Sequence, residues 1–146
     1  MKENFDKAFE LLMDFEGGYS DDIFDAGGKT MYGISINSFP KEFNELMALK
    51  TPKEREEYIR NFYRKNFWDV IKADSLPDKT DIAAFDFAVN SGAGRAKRLL
   101  DVTQDWKDYI FYRIDFLIGI GKGTNSKYIR GWVNRCVRLW KALKEG

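Results

Sequence analysis

The chain has 146 residues, 44% hydrophobic and 32% charged, with 24 Lys plus Arg against 23 Asp plus Glu. That is enough apolar side chain for one buried core, and the net charge of +1 gives no general pull toward nucleic acid or an acidic polymer. With no histidine and a single cysteine, Cys136, an internal disulfide, Cys-rich zinc sites, Ser-His-Asp or Cys-His catalysis and His-metal chemistry are excluded, so acid–base work falls to carboxylates.

MKENFDKAFELL carries acids at Glu3 and Asp6 where a secretory leader needs an apolar stretch, and no later run approaches a membrane span. The expectation is a cytoplasmic product without a cleavable leader. Phe5, Phe9, Leu12 and Glu16 recur at spacings of 4, 3 and 4, which predicts a helix starting at residue 4 or 5, capped by Asn4 and stopped by Gly17 and Gly18. Residues 17–35 read as a loop or small irregular hairpin with TMYGIS as its strand.

A second helix is predicted over 41–49. Thr51 as cap, Pro52 at the first position and Glu54 completing a capping box predict a third, reaching Phe67. DIAAFDFAVNSGAG reads as a buried helix with Ile82, Phe85 and Val89 inward, ending near Gly92 or Gly94, and GRAKRLLDV starts the next. DWKDYIFYRIDFLIG predicts an aromatic helix, GKGTN a break, and SKYIRGWVNRCVRLWKALK a closing helix capped by Ser126.

Glu16 lies on the apolar stripe in the last turn of its helix. Desolvation and the negative end of the helix dipole both disfavour the carboxylate form there. A carboxylic acid that keeps its proton suits a glycosidase, which must protonate a leaving glycosidic oxygen. Past the glycine pair, Asp21, Asp22 and Asp25 lie in a polar loop that favours ionised carboxylates, and Thr30 offers a hydroxyl to position water. The plainer reading makes Glu16 an exposed residue before a helix stop and the aspartates turn formers. The acid spacing does not fit an EF-hand calcium loop.

EGGYSDDIFDAGGKTMYGIS, taken whole, resembles the signature of the glycoside hydrolase family 108 lysozymes, N-acetylmuramidases of phage endolysins and bacterial prophage regions. Glu16, Gly17, Gly18, Tyr19, Asp22, Asp25, Gly27, Gly28, Thr30, Tyr32, Gly33 and Ile34 fall in step with it. RNFYRKNFWD, FDFAVNSGAGRAKRLL and RGWVNR resemble three later segments of that family, in the same order. Phe15 stands where the family usually has His, Ala26 where it has Pro, and the peptidoglycan-binding-like segment after Leu100 is shortened.

The resemblance implies a mainly α, lysozyme-like fold in one compact unit, with 1–95 the catalytic part and 96–146 a shortened helical part packed on it. It implies hydrolysis of the β-1,4 bond between N-acetylmuramic acid and N-acetylglucosamine, with Glu16 as the acid. Asp25 or Asp22 would be its partner, and Thr30 would orient the nucleophile. The carboxylate separation decides between retention, at about 5 Å, and inversion, at roughly 6.5–9.5 Å. No metal or organic cofactor is expected. The implied partner is the peptidoglycan glycan strand, met by a monomer released through a holin-type pore or by lysis. A lytic transglycosylase and a non-catalytic wall-binding or secretion-accessory protein are the alternatives.

Asp86 and Asn90, one helical turn apart, either line the sugar cleft or form a buried hydrogen-bond network. Tyr19, Tyr32, Trp68 and Trp132 either stack on sugars or belong to the core. In the last helix Lys127, Arg130, Arg138, Lys141 and Lys144 share one side, a solvated face or a contact with anionic wall polymer or membrane. KEREEYIRNFYRKNF interleaves acids with its bases, which argues against nucleic acid.

Overall fold

The computed structural model describes residues 2–16, 19–20 and 29–146, with residues 19 and 20 described through the backbone alone. It is mainly helical, with one small sheet, as a lysozyme-like fold requires. The chain divides into two compact units, Phe9–Asn66 and Met1–Ala8 with Phe67–Gly146. No described helix is long and apolar enough to cross a membrane.

The first helix, α1, spans Phe5–Phe15, and the Glu16 N–H still donates to the Leu12 carbonyl at 2.9 Å, so helical bonding reaches Glu16 as its spacing predicts. Of α1, Phe9 and Leu12 enter the core of the 9–66 unit, with Ile34, Phe43, Leu46, Ile59, Phe62 and Tyr63. Three short strands follow, β1 (Tyr19–Ser20), β2 (Thr30–Met31) and β3 (Ile34–Ser35), antiparallel in the order β1-β2-β3. Tyr19 lies opposite Met31 and Ser20 opposite Thr30, while Thr30 faces Ser35 and Met31 faces Ile34.

TMYGIS is thus two strands and a turn, not one strand. Tyr32 and Gly33 form the two-residue connection, both at positive φ (48° and 82°), as a type I′ turn needs to match the twist of its strands. Helix α2 covers Pro40–Ala48 and α3 Pro52–Tyr63, continued by a wide π turn at Arg64–Trp68. Thr51 caps α3 as predicted. Its Oγ1 accepts the Glu54 N–H at 3.2 Å, and its hydroxyl donates to Glu54 Oε1 at 2.8 Å.

In the other unit, Asn4 does not cap α1. Its amide instead donates to Asp78 at 2.7 Å and Asp81 at 3.0 Å, because a 3-10 turn, Lys2–Asn4, runs straight into the helix. After a second 3-10 turn at Ala73–Ser75 come α4 (Thr80–Ser91), α5 (Ala93–Val102) and α6 (Trp106–Ile120). Helix α4 packs on both α5 and α6 and is buried all round from Thr80 to Ala88, while Val89, expected inward, is half-buried at its looser end.

Asp105 caps α6, accepting the N–H groups of Lys107 and Asp108, both at 3.0 Å. A 3-10 turn at Gly123–Tyr128 leads into α7 (Ile129–Glu145), which packs on α6 and buries Cys136, Leu139 and Leu143. Ser126 is therefore not the cap of the last helix. Its hydroxyl donates back to the Gly123 carbonyl at 2.8 Å, closing the 3-10 turn instead.

Candidate active site

The 9–66 unit brings Glu16 against the hairpin turn. Glu16 is half-buried, one residue beyond α1. A Cβ added to Gly33 would stand 2.8 Å from Glu16 Oε2, 2.9 Å from its Cδ and 2.5 Å from the Tyr63 hydroxyl oxygen. Real Cβ atoms do not approach other atoms so closely, and φ at Gly33 is +82°. Only glycine both makes the turn and leaves room for the carboxyl group and the phenol.

Tyr63 holds that turn from below. It is 1% exposed at the end of α3, with its ring against Phe9 (centroids 6.4 Å apart) and Phe62 (5.2 Å). Its hydroxyl donates to the Tyr32 carbonyl at 2.5 Å. Backbone strain at Tyr32, a non-glycine residue at positive φ, is thereby offset by a part-buried hydrogen bond.

Tyr32 also borders a groove of about 450 Å³ whose walls include Phe9, Met13, Met31, Arg55 and Ile59. Arg55 is held in place by donating to the Leu49 carbonyl from Nε at 3.2 Å and Nη2 at 2.9 Å. Arg60 lies over the Phe9 ring at 4.5 Å. Thr30 sits half-buried in β2, two residues before Tyr32. Asp22, Asp25 and the Tyr19 side chain lie outside the described residues. Among the described residues no group of three or more Cys, Asp or Glu could hold a metal ion.

The other predicted binding residues belong to the second unit. Asp86 is 3% exposed and turns both carboxylate oxygens to guanidinium groups: Arg113 Nη1 at 2.6 Å on Oδ2, and Arg135 from Nη2 at 3.0 Å on Oδ1 and Nε at 3.2 Å on Oδ2. Arg113 Nη2 also donates to Asn90 Oδ1 at 3.2 Å. Burial pushes the Asp86 carboxyl up, but the two guanidiniums outweigh burial and hold it below the usual carboxylate range. Trp132 is half-buried and stacks on Tyr128, with ring centroids 5.8 Å apart. Trp68, weighed above as a sugar platform, is fully buried against Phe5 and Phe85 and donates to Asp74 at 2.8 Å.

Residues 9–92 match the family model described as glycosyl hydrolase 108, a stretch that includes Glu16, the hairpin and all of α4. The chain belongs to the glycosyl hydrolase 108 family. Membership makes it a glycoside hydrolase by descent and supports a peptidoglycan hydrolase in general. It is also similar to the solved structure of Brucella abortus SagA, at 28% identity and a TM-score of 0.78, covering 99% of this chain and 96% of that one. The likeness thus runs through the shortened part after Leu100, beyond the end of the family match. The comparison with curated proteins found no match.

Tyr63, Gly33, Arg113 and Arg135 were not among the predicted site residues. The sequence held a partial signal for two of them, Gly33 and Arg113. Gly33 supplies one residue free to take positive φ, as hairpin turns require, and an arginine within the apolar run YIFYRIDF needs a buried partner. Arg135 comes from RGWVNR and Asp86 from FDFAVNSGAG, so two of the family-like segments meet in one ion network.

Proposed function

We propose that this glycosyl hydrolase cleaves the β-1,4 bond between N-acetylmuramic acid and N-acetylglucosamine in peptidoglycan. The observation that carries the proposal is the half-buried Glu16 carboxyl group seated against Gly33 at the end of α1, inside the family-matched stretch. Glu16 donates a proton to the leaving oxygen. Asp25 or Asp22 activates water or stabilises the oxocarbenium-like transition state, and Thr30 orients the nucleophile. Tyr32 and its groove receive part of the glycan, and the enzyme meets the wall as a monomer without a cofactor.

The fixed position of Glu16 supports this mechanism, because a general acid works only within hydrogen-bond reach of the atom it protonates. The test is release of reducing sugars from purified peptidoglycan by the wild type and by Glu16→Gln, both shown to be folded. The wild type is expected to cut and the Gln variant to lose activity by at least 100-fold, as general-acid loss typically gives. Anhydro-muramic ends among the products would replace hydrolysis with a transglycosylase reaction. Binding to sacculi with no new ends would leave a wall-binding protein.

A further inference from the structure

Helices α6 and α7 leave an open groove of about 310 Å³ between them, lined by Lys107, Phe111, Ile114, Val137, Trp140 and Lys141. Two of its apolar wall residues are open to solvent, Phe111 at 65% and Val137 at 40%, and beyond the wall, two turns along α6 from Phe111, Ile118 is 51% exposed. Scattered exposed apolar residues are ordinary, but several along one groove mark a surface that meets something.

The charges in the wall of the groove have one sign. Among the described residues, Lys107 and Lys141 are its only charged wall residues. Helical periodicity puts Arg130 and Lys144 on the same side of α7 as Val137 and Lys141, and all four residues are exposed. The acids of these helices flank the groove without entering its wall: Asp108 and Asp115 stand one turn before and after Phe111, on its side away from the groove, and Glu145 stands one turn beyond Lys141. The lysines also keep aromatic company, with Lys107 Nζ 5.5 Å from the Trp106 ring and Lys144 Nζ 5.1 Å from the Trp140 ring.

We infer that this α6–α7 face is a docking surface for an anionic phospholipid bilayer. Cations at headgroup level, with Phe, Trp, Val and Ile reaching toward the acyl boundary, are the combination that holds a protein on a membrane surface without spanning it. A hydrated polyanion of the cell wall would satisfy the lysines but gain nothing from Phe111, Val137 or Ile118. The inference does not depend on the glycosidase reading of Glu16, which lies in the other unit.

Flotation of the full chain tests it, using vesicles of phosphatidylcholine alone and of equal parts phosphatidylcholine and phosphatidylglycerol. The wild type is expected to float with the anionic vesicles only, and to be released by added salt. Phe111→Ser is expected to weaken binding about tenfold and Lys141→Gln about fivefold, with unfolding temperatures unchanged because both side chains are exposed. The inference is overturned if the wild type ignores anionic vesicles, binds neutral ones equally, or is unaffected by either substitution. It is equally overturned if sedimentation shows a dimer that Phe111→Ser converts to monomer without any vesicle binding, since the groove would then hold a second copy.

Discussion

The Cα of Gly33 faces the carboxyl group of Glu16 so closely that a methyl group there would overlap it, 2.8 Å from Oε2. A turn and a helix end, 17 residues apart in sequence, therefore fix one carboxyl group between them. Gly33→Ala is expected to push that group aside and to strain a backbone held at φ +82°, lowering stability by about 1–3 kcal/mol. Loss of peptidoglycan cleavage should exceed what the stability change explains. The comparison is kcat and KM at a temperature where both proteins are folded, and unchanged kcat would mean that the Glu16 position does not matter.

Tyr63→Phe keeps the buried ring against Phe9 and Phe62 and removes only the hydroxyl that donates to the Tyr32 carbonyl. Losing a part-buried hydrogen bond costs about 1 kcal/mol. Freed from that bond, the turn should relax and Glu16 with it. The expected result is a kcat about tenfold lower with KM near the wild-type value, since small misplacements of catalytic groups have effects of this size. A fall in thermal stability alone would confine Tyr63 to the fold.

Asp86 predicts the acid limb of stability. Burial raises its carboxyl and the guanidiniums of Arg113 and Arg135 outweigh burial, so the folded-state value lies below the unfolded one, about 3.9 for Asp. The corresponding stability is fully present above the unfolded value and is lost as pH falls through the folded one. Asp81 works the other way: burial raises its folded-state value, so its protonation on acidification relieves a penalty. The unfolding temperature should hold from neutrality to about pH 4 and fall below it. Asp86→Asn should lower neutral stability by about 3–5 kcal/mol and flatten the acid limb; an equally steep limb would assign the loss to other carboxylates.

Thr51→Ala removes the side chain that accepts the Glu54 N–H at the start of α3. The loss should be about 1 kcal/mol, visible as a small drop in unfolding temperature with cleavage activity unchanged. A larger loss, with activity falling alongside, would show that the start of α3 bears on the groove through its neighbour Pro52.

The helices were legible because their signals are local. Phe5, Phe9 and Leu12 mark the buried stripe of α1, and Thr51-Pro52 with Glu54 marks the start of α3. Asn4 and Ser126 misled for a common reason: each has a cap-forming side chain, but a 3-10 turn places it before the helix begins, and tertiary or turn partners take its hydrogen bonds. The setting of Glu16 was only half legible. Its place at a helix end follows from spacing, but its contact with Gly33 depends on a hairpin whose register no periodicity reveals. The ion network was hidden similarly, because Asp86, Arg113 and Arg135 come from three helices and nothing local pairs them.

That trio also constrains how this protein can change over generations. One acid answers two bases, so no exchange of a single pair restores the balance: reversing Asp86 with Arg113 still leaves Arg135 facing a positive neighbour. Loss of Asp86 strands the buried Arg113 guanidinium and its neighbour Arg135 without an acid between them, whereas joint replacement of all three by apolar side chains of similar volume can be nearly neutral. The route between those two states passes through unstable intermediates. Drift one substitution at a time is therefore expected to leave Asp86, Arg113 and Arg135 together, even in descendants that no longer cut anything.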